Sequence, residues 1–328
     1  MFLITFFIGL INIFLSKGYH WIAHVDSYHY TQYIPFTFKN KHGYLVQYNN
    51  TKWAAIDNVC LHRGATLKMT KKCLVCPYHG WKYDLQGNLI FIPGIANIPD
   101  SSLQSFHTKV KFNNLFISPC NAPKYSSLNT IFFPPEETDD TYRSILGERT
   151  FYRPASMVME NLLDMMHISF VHSFGNTLNP VPYHINYESI GEFSGKTTFH
   201  YLAGPASMSK LMGKDIVIVE NEFHMPDTTI TRVIADEYTK TILTRCVEET
   251  DNSCRLFYTL YRNFLVYPWV DPFFQMQMKT TLDEDMNILN KINPKDANGK
   301  MNTKFDITQM KFRRKKRLYE KKWEDHCR

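Results

Sequence analysis

From residue 19 to about 120, short apolar runs at 43–48, 53–56 and 87–93 are separated by turn-forming residues, which predicts a small antiparallel domain of short strands. The stretch 121–140 is rich in Pro, Ser, Thr and Asp, contains Pro134 and Pro135, and reads as a connection. Beyond it, a segment near 155–172 begins with helical spacing. Strand-like runs follow at 196–202, 216–224, 228–235, 240–248 and 254–263, and then an acidic helix around 283–289. Runs of that length with turns between them predict an antiparallel sheet across which the late helix packs. The fold class is therefore α+β, an all-β unit over 19–120 followed by a sheet-and-helix unit over 141–328.

The 328 residues are enough for two domains, each burying its own core, and 44% hydrophobic residues make the chain globular. Net charge is +6 and gathers in a tail from Lys311 to Trp323. No recognition module accompanies that charge, so nucleic-acid binding is not expected. The tail reads as one solvated helix face, with Phe312, Leu318 and Trp323 packing on the body or the cations meeting an acidic electron donor. Residues 2–15 are strongly apolar, yet fourteen residues fall short of the ~20 that span a bilayer. Membrane association through them competes with a signal peptide, against which the segment lacks a basic start and a small-residue cleavage site.

Seven cysteines are an odd number, and Cys120, Cys246, Cys254 and Cys327 show no paired spacing, so a disulfide framework is not expected. Two others carry chemistry. Cys60 precedes His62 by two positions and Cys76 precedes His79 by three, so each loop offers one thiolate and one imidazole. Two cysteines on one iron and two histidines on the other is the ligand set of a Rieske [2Fe-2S] cluster. A tetrahedral zinc site using Cys73, Cys76, His62 and His79 is the rival reading, although it leaves Cys60 without a task.

The residues around these ligands, His62-Arg63-Gly64 and Cys76-Pro77-Tyr78-His79-Gly80-Trp81, resemble the Rieske domain of the Rieske non-haem iron oxygenases. The thirteen residues between His62 and Cys76 are fewer than in that family pattern and predict a shortened hairpin. A second segment, Asp164 to His172, resembles the same family's D-x-x-H-x-x-x-x-H motif, in which both histidines hold a mononuclear iron. A five-residue separation puts His172 about 140° from His167 on an ideal helix, so a loosened turn is predicted between them. Two histidines and one carboxylate form the facial triad of non-haem oxygenases. By resemblance the carboxylate is Asp285, with Asp283 and Glu284 as near rivals and Asp306 as a weaker one. The resemblance gives Asp164 another task, bridging an iron-bound histidine to a cluster histidine of the neighbouring subunit.

The resemblance, nearest to the vanillate demethylase and pheophorbide oxygenase kind, implies a terminal oxygenase subunit with a helix-grip (START-like) catalytic domain. It also implies a homotrimer, a mononuclear Fe(II), O2 as co-substrate, an NAD(P)H-dependent reductase or ferredoxin as electron donor, and a small-molecule substrate that is hydroxylated or demethylated. Iron-sulfur assembly favours a reducing compartment, cytoplasmic or plastid. The competing class is a Rieske electron carrier without oxygenase activity. Arg232, Arg245 and Arg262 fall in predicted strands and would suit a substrate carboxylate, but exposure or a structural ion pair is the commoner role. Met208, Met212, Phe223 and Phe257 are pocket candidates that more often are plain core.

Overall fold

In a computed structural model, residues 20–24, 33–49, 52–112, 114–118, 130–297, 299 and 301–327 are described. The apolar segment 2–15, Cys120 and residues 121–129 of the connection lie outside the described residues. No described helix is long and apolar enough to cross a membrane.

The first unit contains ten strands: β1 (His20–His24), β2 (Tyr33–Phe38), β3 (Lys41–Asn49), β4 (Lys52–Asp57), β5 (Lys68–Met69), β6 (Leu74–Val75), β7 (Lys82–Tyr83), β8 (Leu89–Phe91), β9 (Ser105–Lys111) and β10 (Asn114–Ser118). They form a six-stranded sheet, β1-β10-β9-β4-β3-β2, and a four-stranded sheet, β5-β6-β7-β8. Alternation sets the faces. In β2, Ile34, Phe36 and Phe38 are buried while Tyr33 and Pro35 face out. The β5–β6 hairpin has only two residues per strand, the shortened hairpin predicted between the ligand loops.

The second unit is one seven-stranded antiparallel sheet, ordered β11-β17-β16-β15-β14-β13-β12. Its strands are β11 (Arg143–Phe151), β12 (Tyr183–Gly191), β13 (Ser194–Leu202), β14 (Ile216–His224), β15 (Thr228–Ala235), β16 (Tyr238–Thr250) and β17 (Ser253–Arg262). The helices are α1 (Ala155–Leu162), α2 (Ile168–Val171), α3 (Met208–Leu211), α4 (Asp271–Leu289) and α5 (Ile307–Cys327). Helix α4 buries Phe274, Met278, Leu282, Asp285 and Leu289, one stripe at helical spacing, in and beside a core shared with α1, β17 and α5.

Helix α5 departs from expectation at one position. Phe312, Tyr319 and Trp323 are buried, but Leu318 is 52% exposed. Residues 312, 319 and 323 fall within about 40° of one another around the helix, whereas 318 points about 120° away from 312. Cys246 and Cys254 are free, as their spacing predicts, although their buried thiols are neighbours across β16 and β17. The two units share a core. Val247 and Phe257, on the sheet face turned away from the helices, pack with Ile34, Phe36, Phe38 and Leu115. Backbone bonds from Lys39 N–H to the Glu248 carbonyl (3.0 Å) and from Asn40 N–H to the Glu249 carbonyl (2.8 Å) continue that seam.

Candidate metal centres

The two cysteine loops are built alike. The Cys60 N–H donates to the Ala65 carbonyl and the Gly64 N–H to the Cys60 carbonyl; the Cys76 N–H donates to the Trp81 carbonyl and the Gly80 N–H to the Cys76 carbonyl. Gly64 and Gly80 both sit at φ +70, where a side chain is strained, so both loops close through glycine. Cys60 and Cys76 are each 2% exposed, while His62 and His79 stand at the surface with ring centroids 4.6 Å apart. The His62 ring is stacked on Trp81, which fixes its plane. Leu61 N–H donates to the Tyr83 hydroxyl, leaving that hydroxyl's proton free to reach the Cys60 sulfur at 3.3 Å. Burial pushes the Cys76 thiol up, but the backbone amides of His79 and Tyr78 and the Cys60 thiol bring it below its ordinary value. Donors aimed at sulfur and sulfurs held deep beneath two surface imidazoles suit a binuclear cluster whose outer metal takes the histidines.

The zinc alternative is not assembled. Cys73 sits in the turn of the β5–β6 hairpin against the Thr70 hydroxyl at 3.5 Å, and the sulfur beside Cys76 is that of Cys60. Among the described residues, the side chains that converge on a single ion are His167, His172 and Asp285.

That second group is positioned by three elements. Helix α1 stops at Leu162, so Asp164 lies in a turn beyond the helix, and its Oδ1 accepts the N–H of Met166 (2.7 Å) and of His167 (3.2 Å), starting the short α2. At its far end His172 has left helical geometry, with ψ at 137, which supplies the loosened turn predicted from the spacing. The third side, Asp285, comes from α4 and is 2% exposed. The Nε2 atoms of His167 and His172 are 3.2 Å apart, and the Asp285 Oδ1 is 3.5 and 3.6 Å from them. The far nitrogens are committed elsewhere: His167 Nδ1 donates to the Asp164 carbonyl (2.9 Å) and His172 Nδ1 to Glu284 Oε2 (3.0 Å).

With both Nδ1 atoms protonated, both Nε2 atoms present lone pairs, and a carboxylate oxygen faces them. Three acceptors at such separations repel unless a proton or a metal cation lies between them, and ligands about 2.1 Å from one ion subtend edges of about 3.0–3.4 Å. The site therefore fits a divalent metal. Burial lowers the His167 imidazole, but Asp285 more than offsets this and leaves it above its ordinary value. Burial likewise raises the Asp285 carboxyl, yet His167 and then His172 bring it below its usual range, so it is ionised. Asn161 Nδ2 donates to Asp285 Oδ1 at 2.8 Å and fixes the carboxylate.

Beside these three residues opens a cavity of about 180 Å³, walled by apolar side chains such as Leu162, Phe174, Met212, Ile242 and Phe274 and floored by the inner face of the sheet. Met208 and Met212 line it, whereas Phe223 is in the helix-side core and Phe257 in the seam between the units. None of the three strand arginines enters. Arg232 pairs with Glu136 and Glu222, Arg245 donates to Thr228 and the Phe132 carbonyl, and Arg262 pairs with Asp271. Asp283 pairs with Arg149, and Asp306 forms a capping box with Thr303, so neither reaches the histidines.

A family model described as the Rieske [2Fe-2S] domain matches residues 18–107, and one described as the vanillate O-demethylase oxygenase C-terminal domain matches residues 154–318, half of the chain. The chain belongs to the Rieske oxygenase family. Among relatives, the chloroplastic pheophorbide a oxygenase of Oryza sativa subsp. japonica is 27% identical over 45% of this chain and 31% of its own length. The methylxanthine N3-demethylase of Pseudomonas putida is 27% identical over 38% and 37%. The match thus spans about a third of either relative. Among solved structures, dicamba monooxygenase bound to dicamba has the same fold, with TM-score 0.75 at 18% identity over 95% of this chain and 98% of that one. Members of the family combine the cluster with a mononuclear iron and O2.

Sequence reasoning named Glu284 only as a rival ligand. Its task of orienting His172, and that of Asn161 in holding Asp285, needed α4 and α1 to be brought face to face. Tyr83, the hydroxyl at the Cys60 sulfur, went unremarked, since nothing in sequence distinguishes it from other strand aromatics.

Proposed function

We propose that this chain is the terminal component of an oxygenase system, hydroxylating or oxidatively demethylating a small organic or cyclic substrate. In this reading Cys60, His62, Cys76 and His79 hold the Rieske cluster, and His167, His172 and Asp285 hold a ferrous ion. The observation that carries it is the convergence of two Nε2 lone pairs and one buried carboxylate at the edge of an apolar cavity. When bound, the cluster supplies single electrons and the ferrous ion supplies O2 activation. The residues supply the rest. Asp285 offsets half the charge of a divalent ion, while Glu284, Asn161 and the Asp164 carbonyl hold the ligands in one orientation. The apolar walls exclude water and seat the substrate beside the open side of the triad.

Two domains, 19–120 and 141–328 joined through 121–140, divide these tasks. The exposed His62 and His79 tip would receive electrons from an NAD(P)H-dependent reductase or a ferredoxin in a reducing compartment, cytoplasmic or plastid. Asp164 Oδ2 has no partner among the described residues. It is therefore available to accept an imidazole N–H from the cluster of a neighbouring subunit, which supports a ring of three copies. Residues 2–15 would hold such a ring at a membrane surface.

Iron counting tests the proposal. Anaerobically reconstituted protein should hold about three irons per chain with acid-labile sulfide, and Asp285→Ala should hold about two, keep the cluster's optical bands and lose substrate-dependent O2 uptake with a surrogate reductase. Two irons in the unaltered protein would make it an electron carrier.

A further inference from the structure

The cavity wall carries a cation that the metal centre does not use. Alternation along β16 turns Tyr238, Lys240, Ile242 and Thr244 toward the cavity, and of these only Lys240 bears a charge. Among the described residues it makes no ion pair. Its ammonium donates to the Gln277 amide oxygen, 3.4 Å away at the limit of a hydrogen bond. Val233 lies opposite it on β15, and Arg262, opposite on β17, is matched by Asp271. Among the described residues the one carboxylate lining the cavity is Asp285, already committed to the histidines.

Lys240 is half-buried in the cavity wall, and its burial alone lowers the ammonium to about 8, so it is still mostly charged at neutral pH. A desolvated ammonium with one weak neutral acceptor is an incomplete pair that an anionic ligand would complete. Gln277, Thr281 and Asp285 lie at four-residue spacing on the cavity face of α4. Eight residues at 1.5 Å each put Gln277 roughly 12 Å from Asp285 along the helix axis.

We propose that Lys240 and Gln277 form a subsite for a substrate carboxylate, so that the substrate is an elongated acid oxidised roughly 12 Å from its carboxylate. Gln277 contributes its amide N–H₂ to the same carboxylate once its amide turns, and the apolar walls between the two ends hold the carbon skeleton. This inference rests on the oxygenase reading above, which supplies the far end of the ruler.

The test uses 4-hexylbenzoate and its methyl ester, about the required length, titrated calorimetrically under anaerobic conditions into iron-loaded full-length protein. The unaltered protein should bind the acid at least about tenfold more tightly than the ester. Lys240→Met should bring the two within about twofold, with three-iron content and cluster spectrum retained. Gln277→Glu, which gives Lys240 a resident carboxylate, should weaken the acid about tenfold and spare the ester. No binding of the acid, equal binding of acid and ester, or a preference that survives Lys240→Met would overturn the subsite. If the preference holds but the third iron and O2 uptake are missing, the oxygenase reading fails instead.

Discussion

Asp283, Glu284 and Asp285 are consecutive on α4, yet each ends against a different partner, because successive helical residues are turned by about 100°. Asp283 reaches Arg149, Glu284 reaches His172 Nδ1 and the Ser173 N–H, and Asp285 faces both Nε2 atoms. The run Asp-Glu-Asp narrows the third ligand to one turn of helix but does not say which face is inward. That depends on how α4 is rolled against the sheet. The arrangement predicts opposite outcomes for neighbouring substitutions. Glu284→Ala should weaken iron binding at the triad about 10–100-fold in an iron titration, with cluster absorbance unchanged, since His172 loses the acceptor that fixes its tautomer. Asp283→Asn should leave iron binding unaltered, because both partners of its ion pair are 34% exposed and such pairs contribute at most about 1 kcal/mol.

Helix α4 must also be held at its start, twelve residues before Asp283. Asp271, in its first turn, accepts from Arg143 on β11 and Arg262 on β17, tying the helix to an edge strand and its neighbour. Arg143 and then Arg262 hold the Asp271 carboxyl down at about 2, below its ordinary 3.8. A depressed folded-state value means that this contribution is complete above about pH 4 and is lost as pH falls toward 2. Asp271→Ala should cost about 3 kcal/mol at pH 7, because the fully buried Arg262 is left unpaired, and lower the melting temperature by several degrees. In acid melts between pH 4 and 2, the variant should lose stability less steeply than the unaltered protein. The strands that α4 crosses were legible in outline. Runs at 196–202, 216–224, 228–235, 240–248 and 254–263 fall almost wholly on β13 to β17, since each is long and covered on at least one face. The edge strands β11 and β12 were not picked out, and β12, half-exposed along much of its length, offers little apolar alternation to find. The two-residue strands β5 to β7 are set by the ligand loops they connect and leave no periodic signal.

At the scale of the whole molecule, the two units are fused through the seam of Val247 and Phe257 against Phe36 and Phe38, which fixes the Cys60 and Cys76 loops relative to the group of His167, His172 and Asp285. The motifs single out both candidate metal centres by residue, but no single chain's sequence says whether electrons pass within a subunit or between subunits. Asp164 frames the question, as one of its oxygens starts α2 and the other has no partner among the described residues. If that oxygen meets a neighbour's cluster histidine, two inactive chains should rescue each other. His62→Ala disables electron entry but keeps the triad, and Asp285→Ala disables the triad but keeps the cluster. Rings assembled from equal amounts of both should regain about a quarter of normal turnover, because a quarter of donor–acceptor neighbours pair an intact cluster with an intact triad. Introducing Asp164→Asn into the His62→Ala chain, whose triad is the one still working, should slow single-turnover reduction in the mixed rings without loss of iron. Mixed rings as inactive as either parent would place the electron path inside one subunit and leave Asp164 only its task of starting α2.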